Sequence, residues 1–170
     1  MGLFSESLNT FDDLFTHQLK DLYDAEYQLT EALPQMADAS SSGDLKNAFN
    51  THLMETREQI KRLEQVFQIV GKKPERVTCP AMKGLIKEGQ ETISASGDPK
   101  VKDAALIASA QRAEHYEIAA YGTLRTLARQ VGLNDVAQLL QKTLDEEGNT
   151  DKKLTRLAES HINQEAAAVN

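Results

Sequence analysis

FTHQLKDLYDAEYQLTEALPQM, residues Phe15 to Met36, carries apolar side chains at alternate steps of three and four: Phe15, Leu19, Leu22, Leu29, Leu33 and Met36. That spacing lines one face of a long helix, and Glu26 is the only polar member of the stripe. Two later segments repeat the design. One reads Ile107, Ala110, Glu114, Glu117, Tyr121, Leu124, Ala128, and the other Ala137, Leu140, Leu144, Glu147, Asp151, Leu154, Ala158. Each stripe is apolar at both ends and acidic in the middle. A fourth segment is less regular, with Leu53, Thr56, Ile60, Leu63 and Phe67 along one line and His52, Glu55 and Gln59 on its flank. Glu58 points further round, among Thr51, Met54, Lys61 and Arg62, and reads as solvated.

Glycine and proline punctuate these stripes, and the stretches between are rich in good helix formers. The first helix is expected from Ser5 to Ala39, with a kink at Pro34, ending at Ser40-Ser41-Ser42-Gly43. The second is expected to open at Asp44 and stop before Gly71-Lys72-Lys73-Pro74. A lesser helix from Pro80 to about Ala95 carries Met82, Leu85, Ile86 and Ile93 within a long crossover. Asp98 as cap and Pro99 at the first position open a third long helix to Gln130; Gly132 and Asn134 separate it from a fourth that ends near His161, leaving a frayed tail from Asn163. The fold class is all-α: a ferritin-like four-helix bundle, two hairpins of long helices joined by one long crossover carrying a short fifth helix.

Composition narrows the function classes. The 170 residues suit one domain spanning 1–170. A formal net charge of −7, with scattered Lys and Arg, argues against nucleic acid and makes cations the natural small partners. The single cysteine, Cys79, excludes an internal disulfide and a Cys-rich zinc site, and suits a reducing compartment. No apolar run matches a membrane helix and the start lacks the pattern of a signal peptide, so the cytoplasm is the expected location. Glu6 stands where myristoylation of Gly2 wants Ser or Thr.

Height along the bundle follows from the turns, since residues equidistant from a tight hairpin lie at one level. Reflecting Glu26 about Gly43 gives position 60, next to Gln59 and within about one and a half turns, or roughly 7–8 Å, of Glu55. Reflecting Glu114 and Glu117 about Gly132 gives 150 and 147, next to Asp151 and at Glu147. Glu26, Glu55, Glu114 and Glu147 therefore share a layer, with His52, Gln59, Glu117 and Asp151 as a second tier. Ionised carboxylates in an apolar core cost several kcal/mol each and repel one another, so a group of them needs protonation, strong hydrogen bonds or cations. A metal pair answers that need. The alternative is a structural polar layer joined by protonated carboxyls, Tyr121 and Thr56.

Di-iron and di-manganese bundles take a Glu from each of two helices and Glu-x-x-His from each of the other two. This chain departs from that pattern: the second helix has His52-x-x-Glu55, the reverse order, and the fourth has Glu147-x-x-Thr150. His115 points about 100° away from Glu114 and reads as a surface residue. His17 and His161 read as solvated ends, Cys79 as a packed thiol, Tyr23, Tyr27 and Tyr116 as packing, and Tyr121 as the tyrosine best placed to bond a carboxylate.

The segments LKDLYDAE (Leu19–Glu26), CPAMKGLI (Cys79–Ile86), EHYEIAAYG (Glu114–Gly122) and TLDEE (Thr143–Glu147) closely resemble the YciF/YciE family of bacterial ferritin-like proteins, and the resemblance covers essentially the whole chain. It implies the bundle, dimer formation and an association with stress responses. It carries Glu26, Glu55, Glu114 and Glu147 over as candidate metal ligands. The apolar residues outside the stripes, such as Tyr23, Tyr27 and Phe49, point the same way on the homodimer.

Two functions follow. One is a stress-related protein whose dinuclear iron or manganese centre reacts with oxygen or peroxide. The other is a non-catalytic helical dimer or scaffold with a vestigial acidic core layer. Iron storage in a multi-subunit shell has no specific support in the chain.

Overall fold

A computed structural model describes residues 8–169. The sequence dictates where each helix begins. Thr10 and Asp13 form a capping box, the Thr10 hydroxyl accepting from the Asp13 amide at 3.1 Å and the Asp13 carboxylate from the Thr10 amide at 2.8 Å, so α1 spans Phe11–Ala39. The expected start at Ser5 lies outside the described residues, while Leu8 and Asn9 are not helical. The capping box is the start signal. α1 runs unbroken through Pro34. α2 (Gly43–Ile69) is capped by Ser42, α3 (Pro80–Ser94) by Cys79 and α4 (Pro99–Gln130) by Asp98, with Pro80 and Pro99 in the first turns of the last two.

α2 and α4 end alike. Gly71 and Gly132 take φ of 69° and 78°, and each sits in a Schellman motif: Lys72 and Gly71 amides reach the carbonyls of Phe67 and Gln68, and Leu133 and Gly132 amides those of Ala128 and Arg129. A Cβ in that left-handed region is strained, which is why glycine stops both helices.

α5 (Asn134–Leu157) passes through a π-helical turn at Ala158–Ile162 into α6 (Asn163–Ala167), which packs on α4. The tail expected to fray at Asn163 is thus helical. Ile162, 3% exposed, anchors it to the core and outweighs the weak pattern of the polar residues around it.

α1 pairs with α2 and α4 with α5; α1 also packs on α4 and α2 on α5, closing the bundle. α3, within the crossover, lies against α1 and α4. Asp24 pins the crossover, its carboxylate accepting from the Cys79 amide at 2.8 Å, Arg76 at 2.9 Å and Gln28 at 2.6 Å. Asp103 of α4 ties down the α1–α2 turn through the amides of Ser41 (2.9 Å) and Ser42 (2.8 Å).

The apolar core is in two parts. Leu29, Leu33, Met36, Leu45, Phe49, Leu106, Ile107 and Leu154 fill one end, and Phe15, Leu19, Leu22, Leu63, Phe67, Leu124 and Leu140 the other. Tyr23 and Phe49, read above as apolar residues left for a partner subunit, are buried in these clusters; Tyr23 packs edge-on against Phe67 and Tyr27. They offer nothing to a second chain. Among the described residues no helix is long and apolar enough to cross a membrane.

Candidate metal centre

Between the two apolar clusters lies a layer of buried polar groups supplied by all four long helices: Glu26 from α1, His52, Thr56 and Gln59 from α2, Glu114 and Glu117 from α4, and Glu147 from α5. Glu26, Gln59, Glu117 and Glu147 are 0% exposed, and His52 and Glu114 2%. One ligand atom from each of His52, Glu114, Glu117 and Glu147 can be chosen so that all lie within 4.8 Å of one another. His52 sits at the middle. Its Nε2 is 3.2 Å from a Glu114 oxygen and 3.7 Å from a Glu147 oxygen, and its Nδ1 faces Glu55 at 3.5 Å and the Thr150 hydroxyl at 3.4 Å.

The layer is short of hydrogen bonds. Tyr121 donates to one oxygen of Glu26, and Gln59 donates to Glu147 and, at 3.3 Å, to Glu146. Glu26 Oε2 and both oxygens of Glu117 have no hydrogen-bond partner among the described residues. Thr56 does not help, because its hydroxyl donates at 2.9 Å to the His52 carbonyl on its own helix. Of the two groups expected to knit a purely structural layer, only Tyr121 touches a carboxyl.

Proton affinities follow from burial and crowding. Burial, then the charges of Glu147, Glu26 and Glu114, holds Glu117 well above the ordinary carboxyl range. Burial likewise raises Glu147, with His52 pulling it down and Glu114 and Glu26 pushing it further up. Glu26 is raised to about 8 by burial, against the opposing Tyr121 hydrogen bond and His52 charge. Burial disfavours a charged His52, yet the carboxylates of Glu114, Glu55 and Glu147 outweigh it and raise the imidazole well above its usual value. The layer therefore keeps protons that isolated side chains would have released.

Two residues expected in the site stand at its rim. Glu55 lies roughly 60° round α2 from His52, so its side chain is 40% exposed and bonds His52 from outside; that bond lowers its pKa. Asp151 accepts from Gln111 at 2.9 Å and faces His115 at 3.2 Å, outside the buried set. A strict seven-residue stripe drifts on a straight helix, and Gln111 and His115 on α4 hold Asp151 at that edge. His115 itself is 69% exposed, in agreement with its reading as a surface residue. His17 is half-buried rather than solvated.

Arg62 differs from the expectation that grouped it beside Glu58. It is 8% exposed and makes a bidentate pair with Glu146, at 2.9 and 3.1 Å, plus a bond to Thr143. It lies three residues beyond the buried Gln59, on the same flank of α2, and that helical step is the signal that locates it. Cys79 is a packed thiol as expected: it is fully buried, 3.0 Å from the Tyr116 hydroxyl, and burial raises its pKa to about 11.

The donor set fits a hard or borderline divalent metal, because carboxylates and imidazole suit iron and manganese and Glu117 offers two unengaged buried oxygens. A four-helix bundle with one long crossover and a carboxylate–imidazole layer across its core is the architecture of the ferritin-like class. The chain belongs to the family described as Domain of unknown function (DUF892), which matches residues 10–167. It is 50% identical to Protein YciF of Escherichia coli strain K12 over 161 residues, 94% of this chain and 97% of that protein. The crystal structure of the E. coli stress protein YciF superposes with a TM-score of 0.89, covering 92% of this chain and 99% of the other. A Rhodopseudomonas palustris protein called YcfI, described as a candidate structural protein, is 46% identical with a TM-score of 0.86 over 90% and 98% of the two chains. A Xanthomonas campestris protein at 22% identity and a TM-score of 0.68, over 89% and 92%, shares the fold.

Proposed function

We propose that the chain is a cytoplasmic, stress-related metal protein in which Glu26, Glu114, Glu117 and Glu147, with His52, hold a pair of iron or manganese ions that react with oxygen or peroxide. The observation that carries this reading is Glu117: fully buried among three other buried carboxyls, with neither of its oxygens hydrogen-bonded among the described residues. A purely structural residue in that position costs stability and returns none. Bound there, the metal supplies one-electron redox chemistry toward oxygen or peroxide. The chain's own part is to orient and to manage protons. Tyr121 fixes Glu26, Gln59 fixes Glu147, and loading releases the protons held on Glu26, Glu117, Glu147 and His52. The two apolar clusters on either side keep bulk water out.

Stress involvement rests on the description of the E. coli relative, and the homodimer on resemblance alone; light scattering at micromolar concentration tests the latter. Metal analysis of protein purified without chelator, with a melting curve in Mn²⁺ or Fe²⁺, tests the centre. Bound metal is expected in the wild type and none in the Glu26→Ala, Glu114→Ala double variant.

A non-catalytic scaffold is the second reading. The His52–Glu55 contact favours it, since an imidazole turned between carboxylates already neutralises part of the layer without metal. On that reading neither metal shifts the melting curve.

A further inference from the structure

The inner stripe of α3 runs Met82, Ile86, Gly89, Ile93, with glycine where the repeat calls for a core side chain. Glycine inside a helix is unfavourable relative to alanine, so its presence there asks for a reason. Packing does not provide one: Gly89 is buried, its φ is not positive, and a Cβ built on it meets nothing within 4 Å. The missing side chain leaves a cavity of about 30 Å³ between α1, α3 and α4.

Leu29, Leu33, Ile86 and Ala113 are among the apolar walls of this cavity, and exposed Gln35 and Gln90 also border it. Its single ionisable lining residue is Glu114, which belongs to the carboxylate layer. The space therefore runs from the crossover to the edge of the candidate metal centre. Its volume equals roughly two water-sized spheres, far below the roughly 300–1,000 Å³ of pockets for larger organic ligands. Polar guests find few partners, because the buried Ser109 hydroxyl is engaged by Thr92 at 3.3 Å and the one unpartnered buried oxygen on the lining belongs to Glu114. A water or a peroxide wants two to four partners.

We infer that this cavity binds a small neutral apolar molecule of dioxygen's size beside Glu114, admitted by the gap that Gly89 leaves in α3. The inference deepens the reading of the carboxylate layer as a metal centre, of whose two oxidants it selects dioxygen, and it rests on that reading for its role.

The test uses dioxygen itself as probe on the metal-free protein. Dissolved under pressure, it is paramagnetic and speeds the NMR relaxation of nearby methyl groups. Methyls of Leu29 and Leu33, which line the cavity and are 4% and 2% exposed, are expected to show an enhancement several-fold above Leu63 and Leu140 of the other cluster, each 1% exposed. Gly89→Leu, which fills the space, should bring them down to that background, and Gly89→Ala should give an intermediate loss with an intact fold. Equal enhancement at both ends of the bundle, or an unchanged enhancement in both variants, overturns the inference. A Mn²⁺ melting shift measured on the same three proteins separates the two ideas. Shift retained without selective dioxygen contact sinks the cavity alone; selective contact without any shift sinks the metal centre and leaves the cavity a binding site.

Discussion

Glu117 and Glu26 are both fully buried and carry oxygens with no hydrogen-bond partner among the described residues, which makes their charged forms costly. Glu117→Gln removes one proton-dependent charge at constant shape. The metal-free variant should be more stable than the wild type by about 1–3 kcal/mol near neutral pH, read from denaturant unfolding, while any metal-induced stabilisation disappears. The pH dependence has a definite sign. A carboxyl whose folded pKa is raised contributes stability that is fully present below its unfolded value and is lost as pH rises through the folded one, a window of 4.5 to about 8 for Glu26. His52, also raised, is protonated in the same direction: its contribution is present below 6.5 and falls as pH climbs through the higher folded value. The metal-free protein should therefore melt at progressively lower temperature as pH rises through this window, and the rise caused by Mn²⁺ should grow over the same range as protons stop competing. Parallel curves with and without metal contradict this. Of the layer itself, Glu26, Glu114, Glu117, Glu147, His52 and Gln59 were legible in the sequence because an acidic or polar residue inside an apolar stripe is a strong signal. Glu55, Asp151 and Arg62 were not placed correctly, because at the edge of a helix face a rotation of a few tens of degrees decides between core and rim.

At the level of elements, the ends of the helices were the most readable features where backbone chemistry sets them. Gly71 and Gly132 stop α2 and α4 by conformation alone, and Pro80 and Pro99 open α3 and α4 by a missing donor. The exit of α5 was not readable, because Ile162 holds the chain through tertiary burial that no local pattern announces. α1 begins later than expected because the Thr10–Asp13 capping box sets its start, and Thr10→Ala should cost about 1 kcal/mol in unfolding experiments. α3 makes the opposite prediction. With open space at its Cβ, Gly89→Ala should stabilise the protein by about 0.5–1 kcal/mol, and a destabilised variant would show that α3 packs more tightly than described.

Over the whole molecule, a polar layer splits one bundle core into two apolar halves, and two buried aspartates tie the connecting segments to the helices, Asp24 at the crossover and Asp103 at the first hairpin turn. A centre whose candidate ligands come from all four long helices gains from such ties, because no single helix can move without disturbing the others. Every ligand is then held before the metal arrives, and a metal that binds only the folded chain stabilises it by mass action. The most direct test is a calorimetric titration of the metal-free protein with Mn²⁺ at neutral pH, run beside Glu117→Gln. Two ions bound per wild-type chain, with proton release and with binding abolished in the variant, is the expected result; no binding to the wild type, or equal binding to both proteins, would contradict a metal pair in the carboxylate layer.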